Sequence, residues 1–180
     1  MKKRLAIVAV AALTALGAWG QTGDVRLTMR LLTQRVLPAE PLFVEISLHN
    51  GTSAPVSLCT YEGQGFLRLI RIRKPDGTVV NGPWESKDMP MTPLAAGQTA
   101  SFQTDMGGAE LMLFQQPGRY ELWAEYESPG RVYEEGQVFG QPPRYRDYWK
   151  GNLKSNMCEL VVTKPEGEDR QAYDCWLKPY

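Results

Sequence analysis

From Val25 onward, apolar and polar residues alternate at every second position. Val25, Leu27, Met29 and Leu31 are interleaved with Arg26, Thr28 and Arg30, and Leu42, Val44, Ile46 and Leu48 with Phe43, Glu45, Ser47 and His49. Successive side chains of an extended strand point to opposite faces, so this period predicts strands with one buried face and one solvated face. Asn50-Gly51 follows as a turn, because both residues tolerate positive φ. A short strand is expected around Val56 to Thr60. Phe66 to Arg73 reads as another, with apolar residues on both parities and no assignable inward face. Pro75-Asp76-Gly77 turns the chain into Thr78-Val79-Val80, and the stretch 81–97, with Pro83, Pro90 and Pro93, reads as loop. Gln98 to Thr104 gives a weaker strand signal. Pro117-Gly118 then feeds Tyr120, Leu122, Ala124 and Tyr126, alternating with Glu121, Trp123 and Glu125. A last strand is expected from Asn156 to Thr163. Short strands divided by turn signals predict an all-β fold, an antiparallel sandwich or barrel of about seven strands.

The two ends of the chain depart from this pattern. Lys2, Lys3 and Arg4 precede an apolar run from Leu5 to Leu16, and Ala18-Trp19-Gly20 places small residues after it. At roughly twelve residues the run is shorter than the ~20 needed to span a bilayer. It predicts a signal peptide over 1–20, export to the periplasm or beyond, and no transmembrane segment after cleavage. Residues 21–164 are left for the sandwich and 165–180 for a tail. Within the tail, Pro165, the acidic Glu166, Glu168 and Asp169, and Ala172, Tyr173, Trp176 and Leu177 at helical spacing predict a short C-terminal helix. Loss of the first 20 residues leaves 17 basic against 20 acidic residues, a balance of −3 that opposes nucleic-acid binding.

Cys59, Cys158 and Cys175 make an odd count. A strand from Cys158 advances roughly 16 Å to Thr163, and a helix from Glu166 returns roughly 14 Å by Cys175. Folded back, it would bring Cys175 beside Cys158, a possible disulfide in an oxidising compartment. Cys158 also shares parity with Leu160 and Val162, which would instead turn its thiol into the core.

Glu40-Pro41 before an alternating strand that ends in Asn50, Lys74-Pro75-Asp76-Gly77, Pro117-Gly118-Arg119-Tyr120, and Trp149, Gly151 and Ser155-Asn156 before the last strand together resemble exported bacterial immunoglobulin-like domains of envelope proteins. The Glu-Pro opening and the Pro-Gly-x-Tyr segment are also similar to immunoglobulin-like proteinase inhibitors related to the intracellular inhibitor of bacilli. The signal peptide and the long segment before the last strand depart from that second pattern. The first resemblance implies an immunoglobulin-like sandwich with structural roles for Tyr120, Trp149, Gly151 and Asn156. In such sandwiches a tyrosine near the start of strand F hydrogen-bonds back to the preceding corner, and Tyr120 stands where that role requires.

Chemistry-bearing residues are sparse. His49, the one histidine, sits at a strand end opposite in parity to Leu48, and no spacing ties it to Cys59 as a nucleophile pair or to the cysteines as a zinc site. Glu110, Glu121, Glu125, Glu134 and Glu135 could in principle pair for glycoside hydrolysis, but Glu121 and Glu125 fall on the polar parity of their strand. Arg68, Arg71, Arg73 and Lys74 read as a solvated face. No phosphate loop, dinucleotide fingerprint or nucleophile elbow is present, so neither catalytic, cofactor-binding nor metal-binding residues are assigned. The richest segment runs from Glu127 to Lys154 and reads as a long loop. Its Tyr133, Phe139, Arg144, Tyr145, Arg146 and Tyr148 are of the types enriched at interface hot spots. These residues either pack down over the sandwich or form a candidate partner surface for an envelope protein or glycan, with a sheet edge as the alternative contact. The sequence therefore predicts a non-enzymatic binding or structural module, with a protease inhibitor that presents a rigid loop as the alternative.

Overall fold

The computed structural model describes residues 25–58, 70–82, 93–106, 113–133 and 145–176. Within them the chain forms nine strands and one helix. The first sheet joins β1 (Val25–Leu31), β3 (Leu42–Asn50) and β6 (Thr99–Met106) in the order β1-β3-β6, all antiparallel. The second runs β2-β9-β7-β4-β5, built from β2 (Arg35–Val36), β9 (Cys158–Val162), β7 (Gly118–Tyr133), β4 (Ile70–Arg73) and β5 (Val79–Asn81). A further strand, β8 (Tyr145–Lys154), pairs with β7. Every pairing is antiparallel except β2 with β9.

The alternation in the sequence translates directly into burial. In β1, Val25, Leu27, Met29 and Leu31 are buried while the residues between them are exposed, and in β3, Leu42, Val44, Ile46 and Leu48 are buried. These side chains join Ile70, Ile72, Tyr120, Leu122, Ala124, Leu160 and Val162 of the other sheet in a single hydrophobic cluster. The interleaved residues make polar rungs across the outer face of the first sheet. Arg30 pairs with Glu45 at 3.1 Å, Gln103 donates to the same carboxylate at 3.1 Å, and Ser47 meets Ser101 at 2.7 Å.

Two turns act as hubs. Asn50 is completely buried, and its amide nitrogen donates to the carbonyls of Ala54, Leu94 and Ala95 at 2.8, 2.8 and 3.1 Å. Its side-chain oxygen accepts from the Thr52 N–H and hydroxyl. Asn50 thus ties the end of β3 to the segment leading into β6. At the other corner the Tyr120 hydroxyl donates to the Gln116 carbonyl at 2.7 Å, and the ring meets Phe114 edge-on at 5.4 Å. Gly118 has φ of +150°, and a Cβ there would come within 2.6 Å of the Pro75 ring, so the two turns that contain them touch.

Several expectations are refined by these elements. The strand expected at Val56 to Thr60 is an isolated bridge between Val56 and Leu94, with residues 59 and 60 outside the described set. Ile70 and Ile72 supply the inward parity of β4, which the sequence left unassigned. β2 was not expected, since two residues carry no periodicity. The C-terminal helix, α1 (Gly167–Trp176), has Glu168 and Asp169 in its first turn, where they complement the helix dipole.

Replacing Tyr120 with Phe keeps the buried ring and removes only the bond to Gln116. A loss of about 1 kcal/mol is expected for such a bond, which lowers the melting temperature by about 2–4 °C in a domain of this size. An unchanged melting temperature would show that the corner does not depend on it.

Candidate interaction surface

The segment from Glu127 to Lys154 is not the long loop that its composition suggested. Residues 127–133 complete β7, residues 145–154 form β8, and only 134–144 lie outside the described residues. The two strands pair from Glu125 with Lys154 to Tyr133 with Tyr145. The register shifts between Pro129 and Arg131, where Gly130 has φ of +82° and a Cβ would stand 2.6 Å from that of Lys150. Pro129-Gly130 therefore marks a β-bulge and not the end of the strand.

The ribbon brings together part of the expected partner surface. Tyr133 stands across from Tyr145, and Arg146 across from Val132. Tyr148 lies further along β8, half-buried. Phe139 and Arg144 fall outside the described residues.

Of the four residues expected to be structural, Tyr120 holds the corner described above, and Trp149, Gly151 and Asn156 lie on or just after β8. Trp149 stacks on Tyr126 with ring centroids 6.2 Å apart, and its backbone N–H donates to the Ser57 carbonyl at 2.7 Å. Its indole also crosses Gly151, where a Cβ would lie 2.5 Å from the ring. The aromatic side chain covers the gap that the glycine leaves in the strand. Past Lys154 the chain steps sideways by one residue before continuing as β9. At this step the Ser155 N–H donates to the Ala124 carbonyl, and the Ser155 hydroxyl accepts from the Ala124 N–H, each at 2.8 Å. The Asn156 amide then accepts from the Met29 N–H and donates to the Met29 carbonyl, both at 3.0 Å. One side chain thereby closes the edge of β1 against the other sheet.

Cys158 is a free thiol, so the Cys158–Cys175 bridge is not formed; the Cys175 side chain lies outside the described residues. The Cys158 thiol packs against the core and donates to the Met29 carbonyl at 3.2 Å, the inward-facing alternative allowed by its parity. Burial pushes its pKa up, against the opposing effect of bonds from the Leu31 backbone and Asn156.

The densest polar constellation lies on the outer face of the second sheet, centred on Trp123. This residue has the solvent-side parity of β7 yet is only 6 % exposed. Lys154 sits 4.8 Å and Arg73 5.6 Å from the ring centroid, so cations cover it. Glu125 holds the arrangement together. One of its oxygens accepts from the Trp123 indole N–H at 2.8 Å, the other from Arg71 Nε at 3.0 Å, and Lys154 Nζ stands 3.9 Å away. Arg71 also bonds Asn81, and Arg73 bonds Glu121. Partial burial alone would raise the Glu125 carboxyl; the Trp123 N–H, Arg71 and Lys154 outweigh it and hold the group below its ordinary 4.5. An open groove of about 370 Å³ adjoins this cluster, lined by Arg71, Glu125, Tyr126, Glu127, Asn152, Leu153 and Lys154.

Other candidate groups stay apart. His49 faces outward on β3 with Nδ1 3.0 Å from the Thr99 hydroxyl. Cys59, Arg68, Glu110, Glu134 and Glu135 lie outside the described residues. Among the described residues no three His, Cys, Asp or Glu side chains are placed to share a metal ion, and no helix is long and apolar enough to cross a membrane. No family model matches the chain, and no curated protein matches it.

Two measurements test this account. A carboxylate with a depressed folded pKa adds stability above its unfolded pKa and loses it as pH falls through the folded value. The wild type should therefore lose stability relative to Glu125→Gln as pH is lowered from about 6 to about 3, with a gap near neutrality of about 1 kcal/mol or less for a partly exposed group. A constant gap across that range would remove Glu125 from its central role. Separately, peptide-resolved alkylation at pH 8 should label Cys158 far more slowly in the folded protein than in urea. Equal rates would contradict the inward-facing thiol.

Proposed function

We propose that the chain is an exported, non-enzymatic binding module of the cell envelope, built as an immunoglobulin-like β-sandwich, which engages a protein or glycan partner through the β7–β8 hairpin. The immunoglobulin-like reading is supported by the strand orders β1-β3-β6 and β2-β9-β7-β4-β5 around one core, and by the bond from Tyr120 to the corner before it. The basic start, the apolar run of Leu5 to Leu16 and the small residues after it support export.

The observation that carries the binding role is the pairing of 125–133 with 145–154. A segment rich in Tyr and Arg is held in ladder register and anchored by Trp149 on Tyr126, so little conformational entropy is left to lose on contact. The expected outcome is that joint replacement of Tyr145, Arg146 and Tyr148 by Ala abolishes capture of a partner from the native envelope and leaves the melting temperature within about 2 °C of wild type. Undiminished capture would overturn the assignment to the hairpin, and a large fall in melting temperature would assign these residues to packing.

A further inference from the structure

The groove at the base of the hairpin has a composition of its own. Three successive cross-strand pairs make its floor and walls: Glu125 with Lys154, Tyr126 with Leu153, and Glu127 with Asn152. Arg71 closes it from β4. Tyr126 and Leu153 are only 4 % and 3 % exposed, so the groove offers no wide apolar surface to a lipid or a greasy peptide. Its charged lining is two cations, Arg71 and Lys154, and two carboxylates, Glu125 and Glu127. That balance gives no net pull on a polyanion or a polycation.

What it does offer is a row of planar and cationic hydrogen-bonding groups on a rigid ladder. Glu125 is committed to Trp123 and Arg71, which fixes its geometry. Glu127 and Asn152 face one another across the ladder, both exposed, and among the described residues neither side chain is bonded to another protein group. A carboxylate that only accepts, beside an amide that both donates and accepts, suits a ligand carrying adjacent hydroxyls, since each hydroxyl is donor and acceptor at once. The volume of about 370 Å³ lies at the small end of ligand sites.

We propose that this groove binds a neutral, polyhydroxylated ligand, a segment of one or two sugar units within a glycan, with Glu127 and Asn152 as its principal hydrogen-bonding residues. This rests on the binding-module reading and names a ligand chemistry and a second surface for it.

The test is a titration of the isotopically labelled protein with neutral trisaccharides based on glucose, mannose, galactose and N-acetylglucosamine, and with poly-glutamate as the polyanion control. At least one trisaccharide should shift amide resonances at 125–127 and 152–154, while poly-glutamate does not. Glu127→Ala and Asn152→Ala should each weaken that binding at least tenfold, and Arg119→Ala, on the same face but outside the groove, should leave it unchanged. No response to any of the four sugars at millimolar concentration, shifts centred elsewhere, or stronger binding of poly-glutamate would overturn the proposal. The groove variants leave Tyr145, Arg146 and Tyr148 intact, so failure here is distinguishable from failure of the hairpin reading, which depends on partner capture.

Discussion

Strand β7 is the hub of the second sheet, pairing directly with β9, β4 and β8, and it also packs against β1 of the first. Its opening residues pair with β9 on one edge and β4 on the other, and its remainder pairs with β8. Through Leu122 and Ala124 it feeds the shared core, and through Glu121, Trp123 and Glu125 it organises the outer face. Hydrogen bonds along an extended strand lie in the plane of the sheet, while side chains stand above and below it. One strand can therefore fix pairing, core and surface at once. Shifting it by one residue would exchange Leu122 with Trp123 and destroy all three together.

The junction between β8 and β9 shows how such a sheet is fastened to its neighbour. A step of one residue leaves backbone groups without ladder partners, and buried groups of that kind are costly. Ser155 and Asn156 supply the replacements: one completes the ladder at Ala124, the other satisfies Met29 at the edge of β1. The same contact that closes the edge of one sheet holds the two sheets in position. Cys158 joins it through its half-buried, unbridged thiol.

Outside the core, the second sheet spends its charged residues on one another. Glu125 alone connects β4, β7 and β8, with the Trp123 ring between the cations of Arg73 and Lys154. Such a face is held by its own contacts, and Glu127 and Asn152 line the groove at its margin.

Much of this was legible in the sequence where a side-chain period could be read. The inward faces of β1 and β3, the turn before Tyr120 and a helix after Pro165 follow from alternation, turn chemistry and residue type, whereas structural roles for Trp149, Gly151 and Asn156 were implied only by the resemblance to immunoglobulin-like domains. β8 was not legible: its inward positions include Gly151, which has no side chain to mark the period, and Pro129-Gly130 on β7 carries the signature of a loop. Only the folded chain shows that Trp149 fills the place of the missing side chain and that the proline and glycine form a bulge. The cluster at Trp123 was hidden for a related reason, since its members come from three strands far apart in sequence. Local pattern decides which way a residue points; which residues from distant strands then stand beside it is decided by register, and register belongs to the whole sheet.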